Sequence, residues 1–462
     1  MKKISAHIIL PFLLLPMLLS CERFLEVDPP NDRLETSTVF SDSTSVALAI
    51  SGTYSDLMGT NTGFLASMIQ FTFLSSDELT ANNSSAYALS FLTNNLLPDD
   101  RTINRIWMDL YRKIYQLNQM IEGIENSSSI NDSAKHRFIG EAKFLRAFFF
   151  FYTVNYWGDV PLTLTTDYRV NEIMPRIPSE EIYGQIIRDL SDAIDTLPDS
   201  YPSTEKVRPN KLAAAALLSR VQLYLENWQE AESLSDRLIS SELYLPLPTL
   251  AGTFKKESRE TIWQLYPANS ASQETYEGLY FIPTSLTDNV IPFYLIPDEL
   301  YESFENEDER KVQWIGSKPS AGSYHFPYKY KARTKIATQE VSEYTIVLRL
   351  SEQYLIRAES RTHLGDYQGA VQDLNVIRTR AGLNELPVTL SESEIFEAIE
   401  KERRHELFCE WGHRWFDLKR TGKSEAVLKP VKGDNWQTGD MLWPIPLSQL
   451  LANPNLIQNE GY

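Results

Sequence analysis

Two cysteines in 462 residues, Cys21 and Cys409, leave nothing from which a disulfide framework could be built. Histidine is almost as scarce, six in all with one of them in the first segment (His7), so general-base candidates are few. Positive charge is short as well. Lysine and arginine number 44 against 62 acids, a net −18; without the first 20 residues, which hold Lys2 and Lys3, the balance is 42 minus 62, or −20. A chain this acidic lacks the field that neutralises phosphates, which argues against nucleic-acid binding. There is no Gly-x-Ser-x-Gly elbow and no phosphate-cradling glycine loop ahead of Lys-Ser/Thr. Among 62 acids, paired carboxylates are unavoidable and carry no information. Nothing argues for an enzyme, a cofactor or a metal.

What is present is a globular composition, 42% hydrophobic, 11% aromatic and 23% charged, enough for a large core. Length alone suggests roughly three domains. Lys2 and Lys3 precede an apolar run from Ile8 to Leu19, interrupted by Pro11 and Pro16. Twelve residues suit a secretory h-region and fall short of the ~20 a membrane-spanning helix needs. Leu18 fits poorly three before Cys21 for ordinary cleavage, whereas Leu18-Leu19-Ser20-Cys21 resembles a bacterial lipobox, in which the thiol is acylated and becomes the mature N-terminus. The expected organisation is a signal over 1–20, a lipidated tether over 21–40, and one helical body over 41–462. The competing reading is a plain secreted protein with a chance cysteine.

Helical periodicity dominates the body. Trp107, Tyr111, Ile114, Leu117 and Ile121 recur at spacings of three and four, as do Phe138, Ala142, Leu145, Phe149 and Tyr152; each set predicts one buried helix face. Asp132 or Ser133 is the expected cap of the second helix, and Gly158 followed by Pro161 its stop. Leu212 to Leu225 breaks at Asn227-Trp228 and resumes with Ala231, Leu234 and Leu238. Ser351 to Leu364 breaks at Gly365-Asp366-Tyr367 and resumes with Ala370, Leu374 and Ile377. Alanine-rich helix, tight turn, aromatic, alanine: that is the grammar of tetratricopeptide-type units, which bury their faces by stacking.

Two stretches depart from it. Residues 75–104 are rich in Asn, Ser and Asp, and 244–347 are rich in proline and aromatics, predicting loops and short strands where binding residues tend to sit. Lys329, Lys331, Arg333 and Lys335 alternate, so on a strand they would line one face, as a charge-protected edge or as an attraction for an anionic ligand. His405, Cys409 and His413 fall at i, i+4 and i+8 of an expected helix. The outer two are then ~12 Å apart, too far for one ion, so Cys409 reads as core and the neighbouring acids and arginines as an ion network.

Ordered motifs then spell out a family. Cys21-x-x-Phe24-Leu25-x-x-x-Pro29 is followed by Glu141-Ala-Lys-Phe-Leu-Arg-Ala-Phe-Phe-Phe-Phe-Tyr152 and Tyr156-Trp-Gly-Asp-Val-Pro-Leu162. Next come Ala213 to Tyr224, Leu348 to Glu359, Leu374 to Gly382, Glu402-Arg-Arg-His-Glu-Leu407 and Glu410-Trp-Gly-His-Arg-Trp-Phe-Asp-Leu418. Pro444-Ile-Pro446 and Asn453-Pro-Asn-Leu-Ile-Gln-Asn459 complete the series. Together they resemble the SusD/RagB family of nutrient-binding outer-membrane lipoproteins. The resemblance implies a mainly α fold of four tetratricopeptide-like units with an irregular ligand-binding half. It also implies surface exposure and a TonB-dependent transporter of the SusC type as partner. The motifs themselves read as scaffold, with Glu402, Arg403, Glu410, Arg414 and Asp417 in a buried ion network.

The ligand the resemblance implies is an oligosaccharide, with an oligopeptide as the alternative and a polysaccharide-acting enzyme as a third reading. A sugar needs aromatic platforms and a polar rim. Asn82, Asn83 and Tyr87 from the first irregular stretch, and Tyr276, Tyr280, Phe281, Trp314 and Tyr324 from the second, are the candidates, each also open to a core reading.

Overall fold

The computed structural model describes residues 39–59, 63–82, 86–267, 273–288, 291–318, 324–336 and 338–462. Cys21, Asn83, the signal and most of the tether lie outside the described residues, and of Tyr87 only the backbone is described.

Helix α1 (Ser43–Leu57) starts on Asp42, whose carboxylate accepts from Thr44 N and Ser45 N at 2.7 and 3.0 Å. Helix α2 (Phe64–Ser75) is buried along nearly its whole length. Strand β1 (Thr80–Ala81) and helix α3 (Ala86–Leu92) follow. The helical scaffold begins with α4 (Arg101–Asn126) and α5 (Asp132–Trp157), joined by a short turn and packed together. Asn131 caps α5 by accepting from Ala134 N at 3.0 Å. The expected caps Asp132 and Ser133 are instead already helical, because the extended backbone that a cap needs falls one residue earlier. Gly158, at φ 71°, ends the helix as expected.

Residues 140–157 of α5 are buried on almost every side, not on the single face that the spacing predicted. The helix is central: α4 covers one flank and α7 (Ser179–Thr196) another, after the one-turn α6 (Tyr168–Asn171). Helices α8 (Lys211–Tyr224) and α9 (Trp228–Ile239) form the first predicted repeat, and the turn falls at Asn227 as expected.

The irregular half carries β2 (Thr261–Leu265), α10 (Tyr276–Phe281), β3 (Tyr294–Leu295), α11 (Asp298–Ser303) and α12 (Glu309–Gln313). Strands β4 (Ile315–Lys318), β5 (Tyr324–Pro327) and β6 (Thr345–Arg349) complete it. Three antiparallel pairs result, β1 with β3, β2 with β6 and β4 with β5. Ile296 N donates to His325 O at 2.8 Å and ties the first pair to the third. The stretch from Lys329 to Lys335 is not a strand, and Lys329, Lys331 and Arg333 turn to protein groups, Lys331 Nζ to Gln313 O at 2.5 Å. Lys329 is buried with Nζ on Glu406 O at 2.8 Å, and Arg333 donates to Ile282 O at 2.9 Å.

Helices α13 (Leu350–His363) and α14 (Tyr367–Arg380) form the second predicted repeat, and α15 (Glu392–Glu406) packs on both. Ser391 and Glu394 cap α15 reciprocally. That helix stops at Glu406, and Cys409, Trp411 and Gly412 turn left-handed at φ 52°, 47° and 76° before α16 (His413–Arg420). His405, Cys409 and His413 therefore do not share one helix: His405 binds Ser303 Oγ at 2.8 Å, and Cys409 is buried in the core. Helices α17 (Ser424–Lys432) and α18 (Leu447–Ala452) finish the chain. Among the described residues no helix is long and apolar enough to cross a membrane.

The ion network lies where α15 ends. Arg403 pairs with Asp417 at 2.8 and 3.1 Å, the one pair formed within the predicted set. Glu402 accepts from Arg310 and Arg378, both at 2.9 Å; Glu410 from Arg349 at 2.8 and 2.9 Å; and Arg414 donates to Asp77 at 2.8 Å. Glu406, fully buried, is held well below the usual carboxylate range: burial opposes ionisation, but Arg380, Arg349 and Arg310 outweigh it.

Candidate ligand-binding site

The short strands bring the two irregular stretches together. Asn82, at the end of β1, donates its backbone N–H to Phe293 O at 2.7 Å and its side-chain amide to Ile291 O at 3.5 Å. Pairing with a two-residue period sends Tyr294 inward and leaves Phe293 40% exposed. Tyr294 donates its hydroxyl to Gln70 Oε1 at 2.9 Å. Half-buried Tyr280 meets the same Gln70, and burial raises its phenol against the opposing charge of Arg105. Arg105 donates to Ser67 Oγ at 3.5 Å, and its buried Nε has no partner among the described residues. The exposed Phe293 ring meets Tyr294 edge-on with centroids 4.7 Å apart, and Tyr294 in turn meets the amide of Gln70; an exposed ring one residue from polar groups suits a ligand with an apolar face and a hydroxyl rim.

Beside β1 and β3 lies a cavity of about 820 Å³, lined by Thr80, Leu295, Tyr324, His325, Val431 and Lys432 among others. Its size falls within the ~300–1,000 Å³ of small-molecule sites. His325 lies flat on Tyr301, with centroids 3.4 Å apart, and its Nδ1 meets Ser317 Oγ at 2.9 Å. Burial lowers its pKa. Burial also brings Lys432 down to about 7, with Asp77 opposing, while its Nζ donates to Leu74 O at 2.6 Å.

Of the sequence candidates, Asn82 adjoins Phe293, Tyr280 meets Gln70 close to Tyr294, and Tyr324 borders the cavity. Three others belong to the core. Trp314 is wholly buried, donates Nε1 to Leu250 O at 3.0 Å and meets Phe254 edge-on. Tyr276 is buried with its hydroxyl on Met58 O at 3.2 Å, and Phe281 lies between Phe73 and Tyr294. Aromatic content marked this segment without telling which rings turn outward, because the folding of α10 and α12 onto the scaffold decides it. Phe293, Gln70 and Arg105 were not singled out. The Phe293-Tyr294 pair could have been found as a strand alternation; Gln70 and Arg105 sit on long helices whose tertiary placement no local pattern gives.

A second cavity, about 400 Å³, opens among the scaffold helices beside Trp228, His363 and Phe396. Its charged wall is internally paired, Arg420 with Glu359 at 2.6 and 2.8 Å and Arg403 with Asp417.

Stacked helix pairs bearing an irregular, aromatic-lined flank define a helical-repeat binding protein. Two family models match the chain: "Starch-binding associating with outer membrane" over residues 23–223 and the "SusD family" over 316–462. The chain belongs to the SusD/RagB family. It is 26% identical to SusD-like protein P25 of Formosa agariphila, over 96% of this chain and 97% of that one. It is 23% identical to the starch-binding protein SusD of Bacteroides thetaiotaomicron, over 75% and 77%. A SusD superfamily protein from Bacteroides vulgatus superposes with a TM-score of 0.80 at 21% identity, over 92% of this chain and 100% of the other. A "laminarin binding SusD-like protein" does so at 0.77 and 25% identity, again over 92% and 100%.

Proposed function

We propose that this protein captures oligosaccharides at the cell surface and hands them to a TonB-dependent outer-membrane transporter of the SusC type. The observation that carries the reading is the exposed Phe293 ring, next to Asn82 and edge-on to Tyr294, whose hydroxyl meets Gln70, on a SusD/RagB scaffold. A similar fold in a laminarin-binding protein supports it. One or two platforms and a few hydrogen bonds of ~1 kcal/mol each give weak capture, in the mM to tens-of-μM range. That suits delivery to a tethered neighbour, where local concentration replaces affinity. The aromatic side chains serve as platforms and no step of bond cleavage is needed.

The same reading takes residues 1–20 as the signal, Cys21 as the acylated N-terminus, 21–40 as the tether and 41–462 as the binding body. Two or more acyl chains, at ~0.8 kcal/mol per buried methylene, hold such a protein stably. Cys21→Ala is expected to leave the membrane fraction; unchanged retention refutes acylation. The capture reading is tested by titration calorimetry against a panel of neutral and acidic glycans together with mixed oligopeptides. Heat from a glycan supports it. Heat from peptides alone moves the assignment to oligopeptide capture, and release of reducing ends moves it to an enzyme.

A further inference from the structure

Polarity is inverted along the last twenty residues. Asn453 and Asn459 are buried, and their amides serve backbone carbonyls: Asn453 donates to Met174 O at 2.8 Å, Asn459 to Trp157 O at 3.0 Å and Trp443 O at 2.8 Å. Gln458 exchanges two bonds with Ile445, at 2.7 and 2.9 Å. The aliphatic neighbours of these amides face water instead, Leu451 at 78% exposure and Ile457 at 75%.

The same bonds gather further exposed apolar side chains. Leu447 N donates to Pro98 O at 2.7 Å, beside exposed Leu97. Ser448 donates to Asn104 at 2.7 Å, one helical turn before exposed Met108. Asn455 donates to Ile173 O at 2.6 Å, and the Ile173 side chain is exposed as well. With Leu447 itself 42% exposed, six apolar side chains line one strip, on the order of the ~300–600 Å² that the largest patch on a monomer reaches. Side-chain bonds to backbone already fix the strip, so a partner would not have to order it.

Its margin says what kind of surface it fits. Asp99, Asp159, Glu172 and Glu460 are exposed there, against exposed Arg101, against Arg169, which is paired with Asp167 at 2.8 Å, and against Arg176, which donates to Ile457 O at 2.7 Å, so the margin stays net acidic. An anionic lipid surface and a second copy of this acidic chain would both be repelled. An apolar protein surface with a basic rim would not. Position adds a second argument. Thr93 lines the 820 Å³ cavity, and Leu97 follows four residues on, at most ~14 Å away along the chain.

We propose that this strip is the docking face for the transporter, whose contact surface is apolar with a basic rim, so that the docked partner lies next to the cavity. This rests on the delivery reading above. The test uses the full lipidated chain in its native membrane. A photo-cross-linking residue placed at Leu451 is expected to capture a TonB-dependent transporter, identified by mass spectrometry, while one at exposed Val376 on α14 captures none. Leu451→Glu with Ile457→Glu is expected to cut recovery of that transporter at least tenfold and leave glycan affinity unchanged. Undiminished recovery with the double variant, or cross-links from 451 to lipid or to a second copy, overturns the docking face while delivery stands. Failure of the wild type to yield any transporter overturns delivery and, with it, the docking face.

Discussion

Arg349 closes a two-pronged bond on Glu410, Nε to Oε2 at 2.8 Å and Nη2 to Oε1 at 2.9 Å, with both groups out of water. Its Nη1 also donates to Glu406 at 2.6 Å, so the last residue of β6 holds the segment after α15. Burial alone would raise the Glu410 carboxyl; Arg349 and Lys329 reverse that and keep it below its ordinary value. Arg349→Leu leaves Glu410 with Lys329 and Glu406 with Arg310 and Arg380, and we expect a loss at the lower end for a broken buried pair, about 3 kcal/mol in urea unfolding. Arg349→Lys should recover little of it, because an ammonium cannot reproduce the fork.

Glu78 gives a pH dependence of definite sign. Oε1 accepts from Cys409 N at 3.0 Å, Oε2 has no partner among the described residues, and burial pushes the carboxyl from 4.5 up to about 8. Between those pH values the folded state holds a proton that the unfolded chain has lost. Its contribution to stability is present below 4.5 and disappears as pH rises through about 8. Glu78→Gln should therefore match the wild type near pH 4.5, gain on it steadily to pH 8, and keep a constant lead above that. Chemical unfolding at unit pH steps measures the difference, and a lead that shrinks with pH would contradict the assignment.

The repeats were legible because their signals are local: apolar spacing, a break at Asn227 or Gly365, and an alanine that lets the next helix approach. The members of the ion network were legible too, whereas their partners were not. Glu402 and Glu410 are met by Arg310 and Arg349, about 60 to 90 residues away, and Arg414 by Asp77, more than 300 away. The same limit hid the site. Trp314 and Phe293 belong to one aromatic-rich segment, and only the packing of Phe254 and Leu250 against the former separates them. The basic alternation after Lys329 misled for a related reason: a periodic charge pattern does not reveal that buried carboxylates and carbonyls await it.

Asn459 joins the C-terminal segment to the end of α5. Asn459→Ala removes the donor from two carbonyls, those of Trp157 and Trp443, and should cost about 1–3 kcal/mol. The loss should be local first: amide exchange over 443–462 is expected to quicken before that of α4 and α5. Uniform acceleration across the chain would show that this segment does not open independently.

Trp314 and Phe293 separate scaffold from site in one experiment. Trp314 has no exposed surface, so Trp314→Ala leaves a large void and takes from the Leu250 carbonyl the nearer of its two donors, and should cost about 3–5 kcal/mol. Any glycan binding that survives in the folded fraction should keep the wild-type affinity. Phe293 is 40% exposed, and its truncation should move stability by no more than about 0.5 kcal/mol. Losing an aromatic platform removes about 0.5–1.5 kcal/mol of binding, a two- to tenfold weaker affinity at 1.4 kcal/mol per decade. Calorimetric titration of both variants, each paired with its own unfolding curve, measures the two effects separately. A Phe293→Ala variant that binds glycan as tightly as the wild type would move the platform off β3, and a Trp314→Ala variant of undiminished stability would return Trp314 to the ligand side.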